Sequence, residues 1–265
     1  MQNLDAYKLK WIAIIGMVLS HMAITWWEII PTWLALPMYA SGGLTFPIMA
    51  FFVVEGYRHT SNLKRYFLRL LMFGLIALPL HILALGIPMG GANPTVYPLL
   101  NILFTIILSL FVLILYDKIK SRILFWILYI ILIVPFSMLF EWWFIGVTMV
   151  LLFHIIRNES ARRIVPPIFA GVLHFGLALS SMIMVGMVPI EYMDLLPPGV
   201  VFDPGFVRIM PFFIVGCLLA SLLLFNYNNE RGKRMKYLFY VIYPVHFAVL
   251  VGVALALGLH DIPWF

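Results

Sequence analysis

Charge is scarce in this sequence. Asp, Glu, Lys and Arg together make up 11% of 265 residues, against roughly 25% in an ordinary soluble domain. That excludes a conventional soluble fold for most of the chain. Cysteine is nearly missing too. Cys217 stands alone, so no intramolecular disulfide framework exists. There is no P-loop, no GxSxG elbow, no HExxH and no CxxC. The phosphate cradle, the strained serine turn and the zinc-binding helix that these motifs build are therefore not expected here. No internal repeat or low-complexity tract is visible. A cleavable signal peptide is not expected either. The first apolar run contains His21 and Glu28 and lacks a clean small-residue cleavage site.

What is abundant is apolar surface. The chain is 64% hydrophobic, with a mean hydropathy of +1.05. Its few cations are sorted. Of 17 Lys and Arg, 16 fall in five places: Lys8 and Lys10; Arg58, Lys64, Arg65 and Arg69; Lys118, Lys120 and Arg122; Arg157, Arg162 and Arg163; Arg231, Lys233, Arg234 and Lys236. The alternate connections carry only Arg208. Loops rich in Lys and Arg stay on the cytoplasmic side of a membrane. The basic balance is thus a topological signal, and no nucleic-acid partner is expected.

The pattern predicts an all-α, polytopic integral membrane bundle forming one domain over residues 1–265. About nine transmembrane helices are expected, near 8–30, 43–58, 66–86, 97–116, 123–140, 143–157, 164–188, 206–227 and 237–259. The N-terminus is expected in the cytoplasm, with the protein in the cell membrane. Lipid offers no partner for free backbone groups, so the spans should be helical. Pro47, Pro79 and Pro211 fall inside spans and are expected to kink them. Glu28, Glu141, Glu191, Asp194, Asp203 and Asp261 fall on the outer side, as do Trp26, Trp27, Trp33, Trp142, Trp143 and Trp264. The longest outer connection, from Pro189 to Gly205, is rich in Pro and Gly. It is expected to be an irregular surface loop or a cover over a site.

Ionisable residues inside spans are costly and serve as site candidates. Lys10, Ile14, Met17, His21, Thr25 and Glu28 follow spacings of three and four and share one helix face. Lys10 marks the inner edge. His21, eleven residues on, lies roughly 16 Å deeper on nearly the same heading. Imidazole moves protons near neutral pH, which makes His21 a candidate general base. A buried histidine that only bonds a neighbour is the alternative. His81 and His246 reach similar depth on other helices, and their convergence with His21 would create a polar centre. His174 lies mid-span, His154 nearer the inner side, and His59 and His260 at ends. Glu55 lies at the depth of Lys10, and a Lys10–Glu55 pair is the simplest structural account of both. Arg58, Arg65 and Arg69 crowd the same side, where they could bind donor phosphates or touch anionic lipid. Arg208 and Trp27 are the outer candidates for substrate contact.

Two stretches resemble the TraX family of membrane proteins. One runs from Leu9-Lys10-Trp11 to Ser20-His21. The other runs from Gly43-Leu44-Thr45-Phe46-Pro47 through Glu55-Gly56-Tyr57-Arg58-His59-Thr60, with Tyr66 and Arg69 beyond it. Tyr243-Pro244-Val245-His246 is similar to the family's last-span motif. TraX proteins are associated with N-terminal acetylation of pilin. They are similar to membrane acyltransferases whose first span carries a basic residue and, eleven positions on, a histidine. Lys10 and His21 match that spacing, with Lys where Arg is common and Ser20 where Asp is usual.

The resemblance implies an acyl donor, acetyl-CoA above all, entering from the cytoplasm, and a small-molecule, lipid or peptide acceptor at the outer half. His21 would be the base. Lys10, Glu55, Arg58, Arg65 and Arg69 would form the donor side. His246, His81 and Glu28 would complete the catalytic group, and no metal is favoured. Two alternatives stand beside this reading. One is an amidase or deacylase, with water as acceptor. The other is a transporter or accessory protein of an export or conjugation system.

Overall fold

The computed structural model describes residues 3–27, 29–85, 100–187, 204–233 and 238–258. Glu28, His260, Trp264 and residues 188–203 of the long outer connection lie outside the described residues. Among the described residues the chain is all helical, with two isolated bridges, Leu4–Tyr227 and Leu100–Phe140.

Several helices begin where a side chain can satisfy free backbone donors. In α1 (Ala6–Thr25), the Asp5 carboxylate accepts the Lys8 N–H at 2.8 Å. Asn101 caps α4 (Ile102–Lys118) by accepting the Leu103 N–H at 3.1 Å. Between them lie α2 (Thr32–His59) and α3 (Leu63–Leu85). The next segment is broken. It comprises α5 (Arg122–Leu128), a π turn at Tyr129–Ile133 and α6 (Val134–Ser137). Then follow α7 (Trp143–Ile155), α8 (Glu159–Met187), the short α9 (Pro204–Ile209), α10 (Phe213–Phe225) and α11 (Leu238–Ala256). Pro47 and Pro79 sit inside α2 and α3. Pro211 lies in a 3-10 turn, Met210–Phe212, that separates α9 from α10.

Among the described residues six helices are long and apolar enough to cross a membrane: Ala6–Thr25, Thr32–His59, Leu63–Leu85, Glu159–Ile183, Val207–Phe225 and Leu238–Ala256. The remaining three of the nine expected spans fall short of that length. At 1.5 Å per residue, the 17 residues of α4 reach roughly 25 Å and the 13 of α7 roughly 20 Å, below the ~30 Å hydrocarbon core. Leu68, Met72, Leu75, Ile123, Ile130, Ile131, Leu222 and Val249 are exposed. Such an apolar exterior suits a multi-pass membrane protein.

Of these six helices α2 has the most enclosed apolar stretch, and it packs against α1, α7 and α10. Small residues make this possible, because they let helix backbones approach closely. A methyl on Gly216 would sit 2.0 Å from the Ala40 carbonyl, and one on Gly43 2.3 Å from that of Phe213. Hydroxyls fasten α1 to α2. Ser41 donates to the Gly16 carbonyl and Thr45 to that of Ala13, both at 3.0 Å.

The described members of the cation clusters gather at one end of the bundle. There Arg162 donates to Glu55 and, at 2.8 Å, to the Phe153 carbonyl. Arg58 bonds the His154 carbonyl at 2.8 Å. Asp117 accepts from the Tyr57 hydroxyl at 2.8 Å and from His154 Nε2 at 2.9 Å. Arg163 ties α8 to the Tyr227 carbonyl and to Asn229. This overturns the expected Lys10–Glu55 pair. The guanidinium of Arg162, brought in by α8, is the carboxylate's partner, and Lys10 Nζ stands 4.8 Å over the Phe52 ring instead. Helix α8 follows α2 by a hundred residues, so sequence proximity could not reveal that approach.

Candidate functional site

The opposite end of the bundle carries a buried polar centre. His21, near the C-terminal end of α1, lies against α3 and α11. His81, near the end of α3, is fully enclosed, while His21 and His246 are 7% and 6% exposed. His21 Nδ1 and His246 Nε2 share a hydrogen bond of 2.8 Å. His246 Nδ1 donates to the Ile242 carbonyl at 3.2 Å. Phe247 stacks on His21 at 4.9 Å and meets His81 edge-on at 5.4 Å, so one ring braces both imidazoles. Thr25 donates to the Ala84 carbonyl at 3.4 Å and ties α1 to α3 beside the centre.

The fourth member is Glu141, in the bend between α6 and α7. Its carboxylate faces two histidines, His21 Nε2 at 4.0 Å and His81 Nε2 at 3.6 Å. Both separations exceed a hydrogen bond. The side chain is held from behind. Ile102 N–H, in the first turn of α4, donates to Glu141 Oε2 at 2.9 Å. The end of a helix that bears free N–H groups also favours a negative charge. The Glu141 backbone is pinned by its N–H to the Leu100 carbonyl at 2.8 Å and by the Thr105 hydroxyl on its own carbonyl. Trp142 and Trp143, the next two residues, adopt φ of 65° and 43°. A non-glycine residue there costs energy, and such strain concentrates at working sites. With 19% of its side chain exposed, Glu141 is the most accessible group of the four.

Two buried groups in the centre remain unsatisfied. Neither His81 nitrogen has a hydrogen-bond partner, and neither does the Tyr243 hydroxyl one helical turn before Phe247. Buried polar atoms are normally paired. Among the described residues no Lys or Arg pairs with Glu141, and no group of three or more His, Cys, Asp or Glu side chains is arranged to hold a metal ion. One carboxylate set against buried imidazoles in a low-dielectric interior is equipped to accept, hold and return a proton.

The other candidates are placed as follows. Trp27 lies in the turn after α1, beside the centre's end of the bundle. Glu28 lies outside the described residues. Arg208 is exposed on α9, and residues 188–203 of the connection before it are not described. At the cationic end, Glu55 and Arg58 are engaged as above, Arg65 is exposed, and Arg69 lies 5.9 Å from the centre of the Tyr66 ring. His174 on α8 packs against Trp142 and Phe213, away from His21. By sequence Glu141 falls only on the outer side and carries no role. Its one visible signal was an acidic residue between Phe140 and Trp142-Trp143 with no cation nearby.

A family model described as "TraX protein" matches residues 6–254. The chain is also similar to a protein of Dichelobacter nodosus named "Probable fimbrial assembly protein FimC, serogroup H1". The two are 30% identical over 259 residues, covering 94% of this chain and 96% of that protein. No solved structure matches.

Proposed function

The chain belongs to the TraX protein family, and on that premise we propose that it is a multi-pass membrane accessory protein of a surface-fibre system, a fimbria or a conjugative pilus. What supports this reading is likeness along nearly the whole length of both chains to a protein named for fimbrial assembly. The accessory protein of an export or conjugation system moves ahead of the acyltransferase. Gene deletion tests it. Fewer assembled fibres per cell by electron microscopy, restored by the gene in trans, is the expected result. Unchanged fibre number and composition would refute it.

A finer proposal concerns what the protein contributes, and the histidine–glutamate centre is the observation that favours it. An inert scaffold has no use for a carboxylate and three imidazoles inside a membrane bundle, where each is costly. We read the centre as an acid–base site for acyl transfer to a component of the fibre. His21 would take a proton from the acceptor as its nucleophile bonds to the acyl carbon of a thioester donor. The carbon–sulfur bond breaks with its electrons on sulfur, and His21 returns the proton to the leaving thiolate.

Acyl-CoA is the donor class this reading implies. Its phosphates would meet the cationic end, where Lys10, Arg65 and Arg69 offer charge. By the cation sorting, that end faces the cytoplasm, the N-terminus lies there, and all nine helical segments cross or enter the cell membrane. The centre then lies in the outer half. Intact mass of the fibre subunit with and without the gene tests this step. A difference of one acyl group is expected, and identical masses would leave only the accessory role.

A further inference from the structure

The proton positions in the centre follow from its geometry. A carbonyl oxygen only accepts, so the 3.2 Å contact to Ile242 requires a proton on His246 Nδ1. A neutral His246 then offers a lone pair at Nε2. That lone pair lies 2.8 Å from His21 Nδ1, which must carry the proton between them. The two rings are within 12° of parallel with centroids 5.0 Å apart. With the nitrogens at 2.8 Å, this separation sets the rings edge to edge, so the N–H and the lone pair point at each other. The proton inventory leaves His21 Nε2 bare. It faces Glu141 Oε1 across 4.0 Å, a gap too wide for a direct hydrogen bond.

We propose that His246 is a positioning residue that holds His21 as its Nδ1–H tautomer, so that His21 Nε2, beside Glu141, is the nitrogen that receives the proton. In the other tautomer the bare His21 Nδ1 would meet the bare His246 Nε2 across 2.8 Å, lone pair against lone pair, and the nitrogen beside Glu141 would already carry its hydrogen. A free histidine side chain favours that other tautomer, so the protein has to impose this one, and hydrogen bonding to the second nitrogen is how a ring is fixed. When Nε2 gains its proton, the cation forms next to a carboxylate already held by the Ile102 N–H. The functional part of this assignment rests on the acid–base reading of the centre. The tautomer itself does not.

The test is ¹⁵N NMR of histidine-labelled protein in proteoliposomes, with the His21 signals assigned by their loss in His21→Ala. The wild type should show His21 protonated at Nδ1 and bare at Nε2. His246→Leu should shift His21 toward the Nε2–H form. His246→Gln should preserve the Nδ1–H form, since its amide oxygen can accept the same proton. Helical circular dichroism confirms that each variant is folded. Fibre-subunit modification should fall about 100-fold in the Leu variant, the lower range for one general acid–base contribution, and recover substantially in the Gln variant. A wild-type His21 bearing its proton on Nε2, or a tautomer indifferent to His246→Leu, overturns the proposal. A tautomer that shifts while modification continues unchanged removes the positioning role and the acid–base reading together, and leaves the proton assignment standing.

Discussion

Replacing Glu141 by Gln isolates charge from shape. The amide keeps the length of the side chain and an oxygen for the Ile102 N–H, whose bond is 2.9 Å in the parent. Folding stability should therefore stay within about 1 kcal/mol of the parent, the net worth of one such bond. What is lost is the negative charge 4.0 Å from His21 Nε2. Two unit charges at that separation attract by about 4 kcal/mol at an effective dielectric near 20. The Glu141 side chain is 19% exposed, so water takes part of this. About 3 kcal/mol of support for a protonated His21 remains, a rate loss on the order of 100-fold. Glu141→Ala should lose a similar factor and also destabilise the fold by about 1–3 kcal/mol, because the Ile102 N–H is left without an acceptor. The assays are thermal unfolding in detergent and acyl incorporation into fibre subunit in proteoliposomes. Full incorporation by Glu141→Gln would refute the reasoning. So would a loss that merely tracks lowered stability in both variants.

Three further outcomes follow from the packing and the charge pattern. Gly216→Ala places a methyl 2.0 Å from the Ala40 carbonyl and 2.7 Å from Gly43 Cα. Both obstacles are backbone, so α2 and α10 must part, at a cost of about 3 kcal/mol readable as a lower melting temperature. Arg162→Ala strips the Phe153 carbonyl and the Glu55 carboxylate of their donor. It should destabilise by about 1–3 kcal/mol, whereas Lys10→Met should leave Glu55 paired and the melting temperature nearly unchanged. With Cys217 replaced by Ser, a cysteine at Ile29 should react with an impermeant maleimide on intact cells, and one at Lys120 only after permeabilisation. The reverse pattern would invert the orientation.

Which helix ends share a side is legible because charge sorting is a one-dimensional record of it. The cation clusters do meet, through Glu55, Arg162, Arg163 and Asp117. Depth along a helix is likewise readable by counting, so His21, His81 and His246 could be named as residues of similar depth. Their heading toward one another could not, because it depends on how α1, α3 and α11 rotate and pack. Glu141 escaped for a related reason. Its role comes from a bend with two left-handed tryptophans and from the N-terminus of α4, neither of which has a periodic signature. The Lys10–Glu55 expectation failed where depth was used as a proxy for contact. Span number is legible only in part: among the described residues six helices reach the length of a crossing, and the other expected spans are shorter apolar helices. Apolar composition does not distinguish a helix that crosses lipid from a shorter one such as α7, whose apolar residues are largely covered by α2, α4 and α8.

The most direct measurement is fibre-subunit acylation and fibre output in a deletion strain complemented with His21→Ala, with the variant's membrane abundance matched to wild type. If the buried imidazole is where the chemistry occurs, the strain makes normal amounts of the membrane protein, its subunits lack the acyl mass, and its fibre output follows the deletion. Subunits of wild-type mass and fibres in wild-type number from His21→Ala would contradict the account.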